Sequence, residues 1–202
     1  MTGNQTSGGL DYRWWASNAP TGGYLSRLAL DAVCQSSGKS ANDARSVELH
    51  VLRLAAAGPV QIHVTTTEGA AGLATSTALF VQDGPVATAT VHFVPPRGVA
   101  VWQDIEAPAA LPAQAYPEMS LTGGSYPPVM CQFSHRPVVA LAGIEARPDW
   151  DVVWLSPKTQ PWSGRADALN VLDCWYTPAY QHAARTFIQS PRAELVEPPK
   201  PT

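Results

Sequence analysis

Apolar residues recur along the chain with two different periods, and the change of period divides it. Leu25, Leu28, Ala29, Ala32 and Val33 fall at i, i+3, i+4, i+7 and i+8, one face of a helix. Thr21 stands where an N-cap is expected, and Gly38 stands where such a helix ends. From Ser46 the period drops to two. Val47, Leu49 and Val51 share a face with Arg53, and Ala57-Gly58-Pro59 turns the chain. Val60, Ile62 and Val64 then alternate with Gln61, His63 and Thr65, up to a turn at Glu68-Gly69. Leu73, Thr75, Thr77, Leu79 and Val81 predict a third strand, and Asp83-Gly84 is a hairpin signal. Ala87, Ala89, Val91 and Phe93 lie on one side of a fourth. Upstream, Tyr12-Arg13-Trp14-Trp15 predicts a short aromatic strand, followed by a turn over Asn18 to Gly23. Residues 1–9 are small and polar and predict a loose tail. The order is therefore strand, long helix, then a meander of four antiparallel strands.

That order has one economical solution, an α+β domain in which a curved antiparallel sheet wraps around a central helix. Its extent is residues 10–95. Prolines at 95, 96, 108, 112, 117, 127 and 128, with Gly123-Gly124, break the pattern and predict a Pro-rich linker over 96–128, draped over the surface. Residues 129–202 predict a second unit. Met130 to Phe133, Val138 to Ile144 and Trp150 to Leu155 are strand-like. Ser163-Gly164 precedes a second helix, from Arg165 to about Tyr176, which Thr177-Pro178 ends. Strand then helix repeats the order of the first half, but only about 25 residues remain for the strands that should follow. The second copy is therefore expected to be truncated, with an unpaired sheet edge that favours a homo-oligomer.

Composition narrows the function classes. The chain has 202 residues, 45% of them hydrophobic and only 14% charged, with a formal net charge of -3. This supplies a core and offers no basic footprint for nucleic acid. No run of about 18 apolar residues predicts a membrane span. The N-terminus lacks the basic start and apolar stretch of a secretory signal, so a cytoplasmic location is expected. Cys34, Cys131 and Cys174 are odd in number and widely spaced, which indicates neither a disulfide framework nor a zinc site. Metalloprotease, serine-hydrolase and dinucleotide signatures are absent. His50, His63 and His92 fall in the polar phase of their strands, and His135 and His182 lie outside any motif. Packing is expected for Cys34 and Cys174, and for Trp14, Trp15, Trp162, Trp175 and Tyr176, which alternatively line an acyl tunnel.

Gly22-Gly23-Tyr24-Leu25 opens the apolar helix, after an aromatic run and ahead of strands ending at Val91-His92-Phe93. In this the chain resembles the tandem hot-dog acyl-CoA thioesterases, over about residues 10–95. Trp154-Leu155 and Ala168-Leu169-Asn170-Val171-Leu172-Asp173 extend the resemblance into the second half. The resemblance implies a hot-dog fold, present as one complete and one truncated copy. It also implies hydrolysis of fatty acyl-CoA to free acid and CoA, with acyl-CoA as substrate, no metal, no cofactor, and pairing of copies through their sheets.

Residue by residue, the family's Asp on the second helix matches Asp173. A Thr opening the next strand is matched best by Thr202, and a further Gln has no counterpart. Asn-Gly-Gly-Tyr of the family is Thr21-Gly22-Gly23-Tyr24 here. Thioester hydrolysis needs an activated water, which a helix carboxylate such as Asp173 can deprotonate, with Thr202 as a hydrogen-bonding partner. It also needs an oxyanion site, which backbone N–H groups of Gly22, Gly23 and Tyr24 at a helix start can supply. Asp31 holds the comparable place on the first helix. The alternative is a non-catalytic acyl- or CoA-binding protein with an incomplete site. A hydratase on the same fold is disfavoured, because no Asp has a His five residues later.

Overall fold

In the computed structural model, the residues described are 2–16, 18–95, 110–121, 126–138, 152–158, 165–171 and 174–175. Five strands form one antiparallel sheet: β1 (Thr2–Leu10), β2 (Ala44–Val51), β3 (Gly58–Glu68), β4 (Ala74–Val81) and β5 (Pro85–Phe93). Their spatial order is β1-β3-β4-β5-β2. Helix α1 (Gly22–Ser37) lies against β2 to β5.

The helix forms as its periodicity predicts. The Thr21 side chain caps its start by accepting from the Tyr24 amide, and Gly38 closes it in the left-handed region at φ 71°. Leu25, Ala29, Leu30, Ala32 and Val33 are buried on the face toward the sheet. They meet Val60, Ile62, Val64, Phe80, Val91 and Phe93. Ala29 on the helix and Ala78 and Ala89 on the strands are fully buried, and their small size lets the helix seat close to the sheet. One polar pair joins this face, a 2.8 Å hydrogen bond between the buried hydroxyls of Thr66 and Ser76.

The structure corrects four expectations here. Residues 2–10 are not a tail but edge strand β1, paired with β3 from Thr2 opposite Thr66 to Leu10 opposite Gly58. From Asn4 to Leu10 only Leu10 is buried, so backbone bonding rather than an apolar face holds the strand. Residues 12–14 form a single 3-10 turn rather than a strand. Asp11 nucleates that turn: its carboxylate accepts from the Arg13 amide at 2.9 Å and pairs with the guanidinium. On β4 the buried phase is Ala74, Ser76, Ala78 and Phe80, while Leu73 lies before the strand and is exposed.

The fourth correction concerns topology. Only β3, β4 and β5 form a meander. β2 lies beyond β5, at the opposite edge from β1, so residues 52–57 must cross the end of the β4–β5 hairpin. The amides of Leu52 and Arg53 both donate to the Val86 carbonyl. Arg53 donates from its guanidinium to the carbonyls of Pro85 at 3.0 Å and Gly84 at 3.1 Å, and to that of Gln82. The Gln82 side chain in turn bonds both backbone groups of Ala56 and the Pro59 carbonyl. Arg53 thus belongs to the crossover and not to the strand.

The second unit has a two-stranded antiparallel sheet, β6 (Phe133–Pro137) and β7 (Val153–Pro157), and helix α2 (Arg165–Val171). The predicted strand over 138–144 lies almost wholly outside the described residues, as do parts of the predicted helix beyond Val171. Residues 110–121 lie along this sheet. The Met119 amide donates to the His135 carbonyl at 2.8 Å, Arg136 donates to the Tyr116 carbonyl at 2.7 Å, and the Trp154 indole donates to the Leu111 carbonyl.

Candidate active site

Two helix ends define the candidate site. At the start of α1, Gly23 and Tyr24 are buried and Gly22 is half-buried. The first amides of a helix have no carbonyl within it to bond. The Tyr24 amide is held by the Thr21 hydroxyl at 3.3 Å, a long and weak cap bond. The Tyr24 side chain fastens this end in place. Its hydroxyl donates to the Gly9 carbonyl at 3.1 Å and accepts from the Asp11 amide at 3.2 Å, tying the end of β1 to the helix. Its ring stacks on Trp14 with centroids 5.4 Å apart. Burial pushes the phenol above its ordinary range.

Trp14 also touches the second unit. Its ring meets Phe133 edge-on at 6.0 Å, and the amide of Val129 donates to the carbonyl of neighbouring Trp15. Val171, at the end of α2, packs into the same cluster as Trp14, Phe133 and Met130. The body of α2 lies against α1 and against residues 41–43, just beyond the far end of α1. The two helices therefore run antiparallel, with the end of α2 beside the start of α1. Ala166 and Leu169 join the core beneath α1. Arg27 on α1 pairs with Asp167 on α2 and, at 3.3 Å, with Asp31 one turn along its own helix. Asn170 shares a face with Ala166 and is 3% exposed. Its Oδ1 is buried and has no hydrogen-bond partner.

His135 lies deeper in the second unit, fully buried. Its Nε2 bonds the Cys174 carbonyl at 3.1 Å, which requires the proton on Nε2 and leaves Nδ1 as a bare acceptor without a partner. Its ring stacks on Trp175 at 5.5 Å. Burial holds this imidazole below its ordinary value, with the Cys174 carbonyl opposing the shift.

Of the predicted site residues, the structure brings Gly22, Gly23 and Tyr24 to the end of α1 that faces α2. It places Asp31 on an exposed face of α1, held by Arg27. Asp173 and Thr202 lie outside the described residues. Sequence reasoning did not single out Arg27, Asp167, Asn170 or His135. His135 is two residues from Phe133, so the buried period-two phase was available as a signal. Asn170 is four residues from Ala166, the helical equivalent. Among the described residues no group of His, Cys, Asp and Glu is arranged to hold a metal ion. Among them too, no helix is long and apolar enough to cross a membrane.

Residues 12–94 match the family model of the acyl-CoA thioesterase N-terminal domain. No curated protein matches the chain. Among solved structures, the chain is similar to a conserved hot-dog-fold protein of unknown function from Alicyclobacillus acidocaldarius. That match has 17% identity and a TM-score of 0.72, covering 87% of this chain and 66% of the other. A candidate thioesterase II from Thermobifida fusca YX gives 19% identity and a TM-score of 0.71 over 88% and 70% of the two chains. Acyl-CoA thioesterase II TesB2 from Mycobacterium marinum gives 18% and 0.65 over 90% and 68%. The chain thus spans about two thirds of the length of these structures. Likeness at this identity shows the fold, and the fold is the hot dog: a curved antiparallel sheet around a central helix, with a smaller second sheet.

Proposed function

From a hot-dog chain whose residues 12–94 match the N-terminal domain of acyl-CoA thioesterases, we propose an acyl-CoA thioester hydrolase of cytoplasmic location. The observation that carries the reading is the antiparallel meeting of α1 and α2, which puts the Gly22-Gly23-Tyr24 turn of one unit beside the end of the other unit's helix.

The chemistry follows from the groups named. A water oxygen attacks the thioester carbonyl carbon while Asp173, two residues past the end of α2, takes its proton. The oxyanion develops against the α1 N-terminus, whose dipole and amides at Gly22, Gly23 and Tyr24 favour negative charge. The 3.3 Å cap bond on the Tyr24 amide is weak enough for an oxyanion to compete with it. Collapse breaks the C–S bond, and the proton passes from Asp173 to the leaving CoA thiolate. Thr202 is the proposed hydrogen-bonding partner of the water. Asp31 is the proposed counterpart on α1, with its ion pair to Arg27 competing against that role. Acyl-CoA is the substrate, and homo-oligomers form through the open sheet edges of β1 and β2.

The experiment is release of free CoA thiol from acyl-CoAs by wild type, Asp173→Ala and Asp31→Ala. A kcat drop of about 100-fold or more is expected for Asp173→Ala, and little change for Asp31→Ala. Turnover unaffected by either change would remove both carboxylates from the mechanism. Absence of turnover alongside tight acyl-CoA binding would mark a non-catalytic binding protein.

A further inference from the structure

Asn170 presents a buried acceptor with nothing to accept from. The residue is 97% sequestered by the 3% exposure of its surface, and its Oδ1 has no hydrogen-bond partner. Leaving such a group unpaired is costly, so a native fold keeps it where a water or ligand satisfies it. Position identifies which. Asp167, three residues earlier on α2, pairs with Arg27 of α1. Val171, one residue later, packs against the same cluster of Val129, Met130, Phe133 and Cys174 as Trp14, which stacks on Tyr24 in the first turn of α1. With the helices antiparallel, Asn170 falls between these two levels of the α1–α2 junction.

We infer that Asn170 holds the attacking water at the α1–α2 junction, its Oδ1 accepting one water hydrogen while the water oxygen faces the carbonyl carbon. The inference rests on the thioesterase reading above. It assigns the amide a part distinct from that of Asp173: the carboxylate removes a proton, and the neutral amide fixes the direction of the lone pair. A misdirected water is costly, since misplacement by about 1 Å lowers rates on the order of 100-fold.

The test compares wild type with Asn170→Leu and Asn170→Asp. Leucine removes the acceptor at similar volume, and removal of an unpaired buried amide leaves the melting temperature equal or higher. The expected result is a kcat about 10- to 100-fold lower for Asn170→Leu with KM unchanged, and partial recovery in Asn170→Asp, which keeps an acceptor oxygen. Unchanged kcat in Asn170→Leu overturns the inference. So does a raised KM at constant kcat, which assigns the amide to substrate binding instead. Crystals provide a readout independent of turnover. An ordered water within hydrogen-bond distance of Asn170 Oδ1 in wild type, and missing from Asn170→Leu, supports the inference, and a dry Oδ1 overturns it. Lack of turnover by wild type would instead defeat the proposed function, leaving the water site to be decided by the crystals.

Discussion

The two halves solve the same packing problem with unequal means. In residues 2–95 five strands and a 16-residue helix close a core of their own, with Val33, Ala78, Phe80 and Val91 fully buried. The described residues of the second unit, two short strands and helix α2, close only a smaller cluster around Val129, Met130, Phe133 and Cys174. Helix α2 packs against α1 and adds Ala166 and Leu169 to the larger core. The smaller half also buries a histidine with one bare nitrogen. The first unit is thus a scaffold and the second a cover held against it, and among the described residues the buried side-chain atoms left unsatisfied, His135 Nδ1 and Asn170 Oδ1, lie in the cover.

The largest expected effect separates scaffold from cover. Phe80→Ala opens the main core and should cost about 3–5 kcal/mol of global stability, read by chemical denaturation. Phe133→Ala opens the smaller cluster, and native-state hydrogen exchange should then show lost protection in β6 and β7 with β3 to β5 unchanged. Equal global loss from both substitutions would erase the distinction.

Acid should divide the halves next. The buried His135 titrates below its ordinary value near 6.5, so between the two values the unfolded chain binds the additional proton. Stability from this group is complete above about pH 6.5 and falls as pH drops toward the lowered folded value. Glu118 on the adjoining segment and Lys158 after β7 act on the same ring in opposite directions. Near-ultraviolet circular dichroism of Trp175 surroundings should weaken in mild acid before the far-ultraviolet signal of the main sheet. His135→Phe should abolish that early phase.

Two smaller effects test the helices. Gly38 sits at φ 71° with open space around it, so Gly38→Ala meets no clash and costs only the backbone conformation, about 1–2 kcal/mol in thermal unfolding. Arg27→Ala removes the ion pair between α1 and α2. Asp31 is half-exposed but Asp167 is largely buried, so the expected loss is about 1 kcal/mol, seen as faster exchange in α2.

The same contrast explains what the sequence made legible. α1 carries its apolar stripe, its cap and its terminating glycine in consecutive residues, so both helix and boundaries could be read. Strands β3 to β5 alternate because one face is buried. β1 escaped notice because an edge strand of Thr, Gly, Asn and Ser is held by main-chain bonds, which have no side-chain signature. The crossover of β2 escaped because strand alternation is the same whichever neighbour a strand pairs with. Arg53 and Gln82, which fasten that crossing, become meaningful only once the chain is folded. At the site, Gly22-Gly23-Tyr24 was visible as a motif. Asn170 and Arg27 were not, since their importance comes from a helix about 140 residues away along the chain.

On the proposed function, the chain hydrolyses a thioester where α1 and α2 meet. The most direct measurement is the initial rate of CoA thiol release across acyl-CoAs of increasing chain length. Steady turnover on at least one of them is predicted, while no thiol above the uncatalysed background with any of them would contradict the claim.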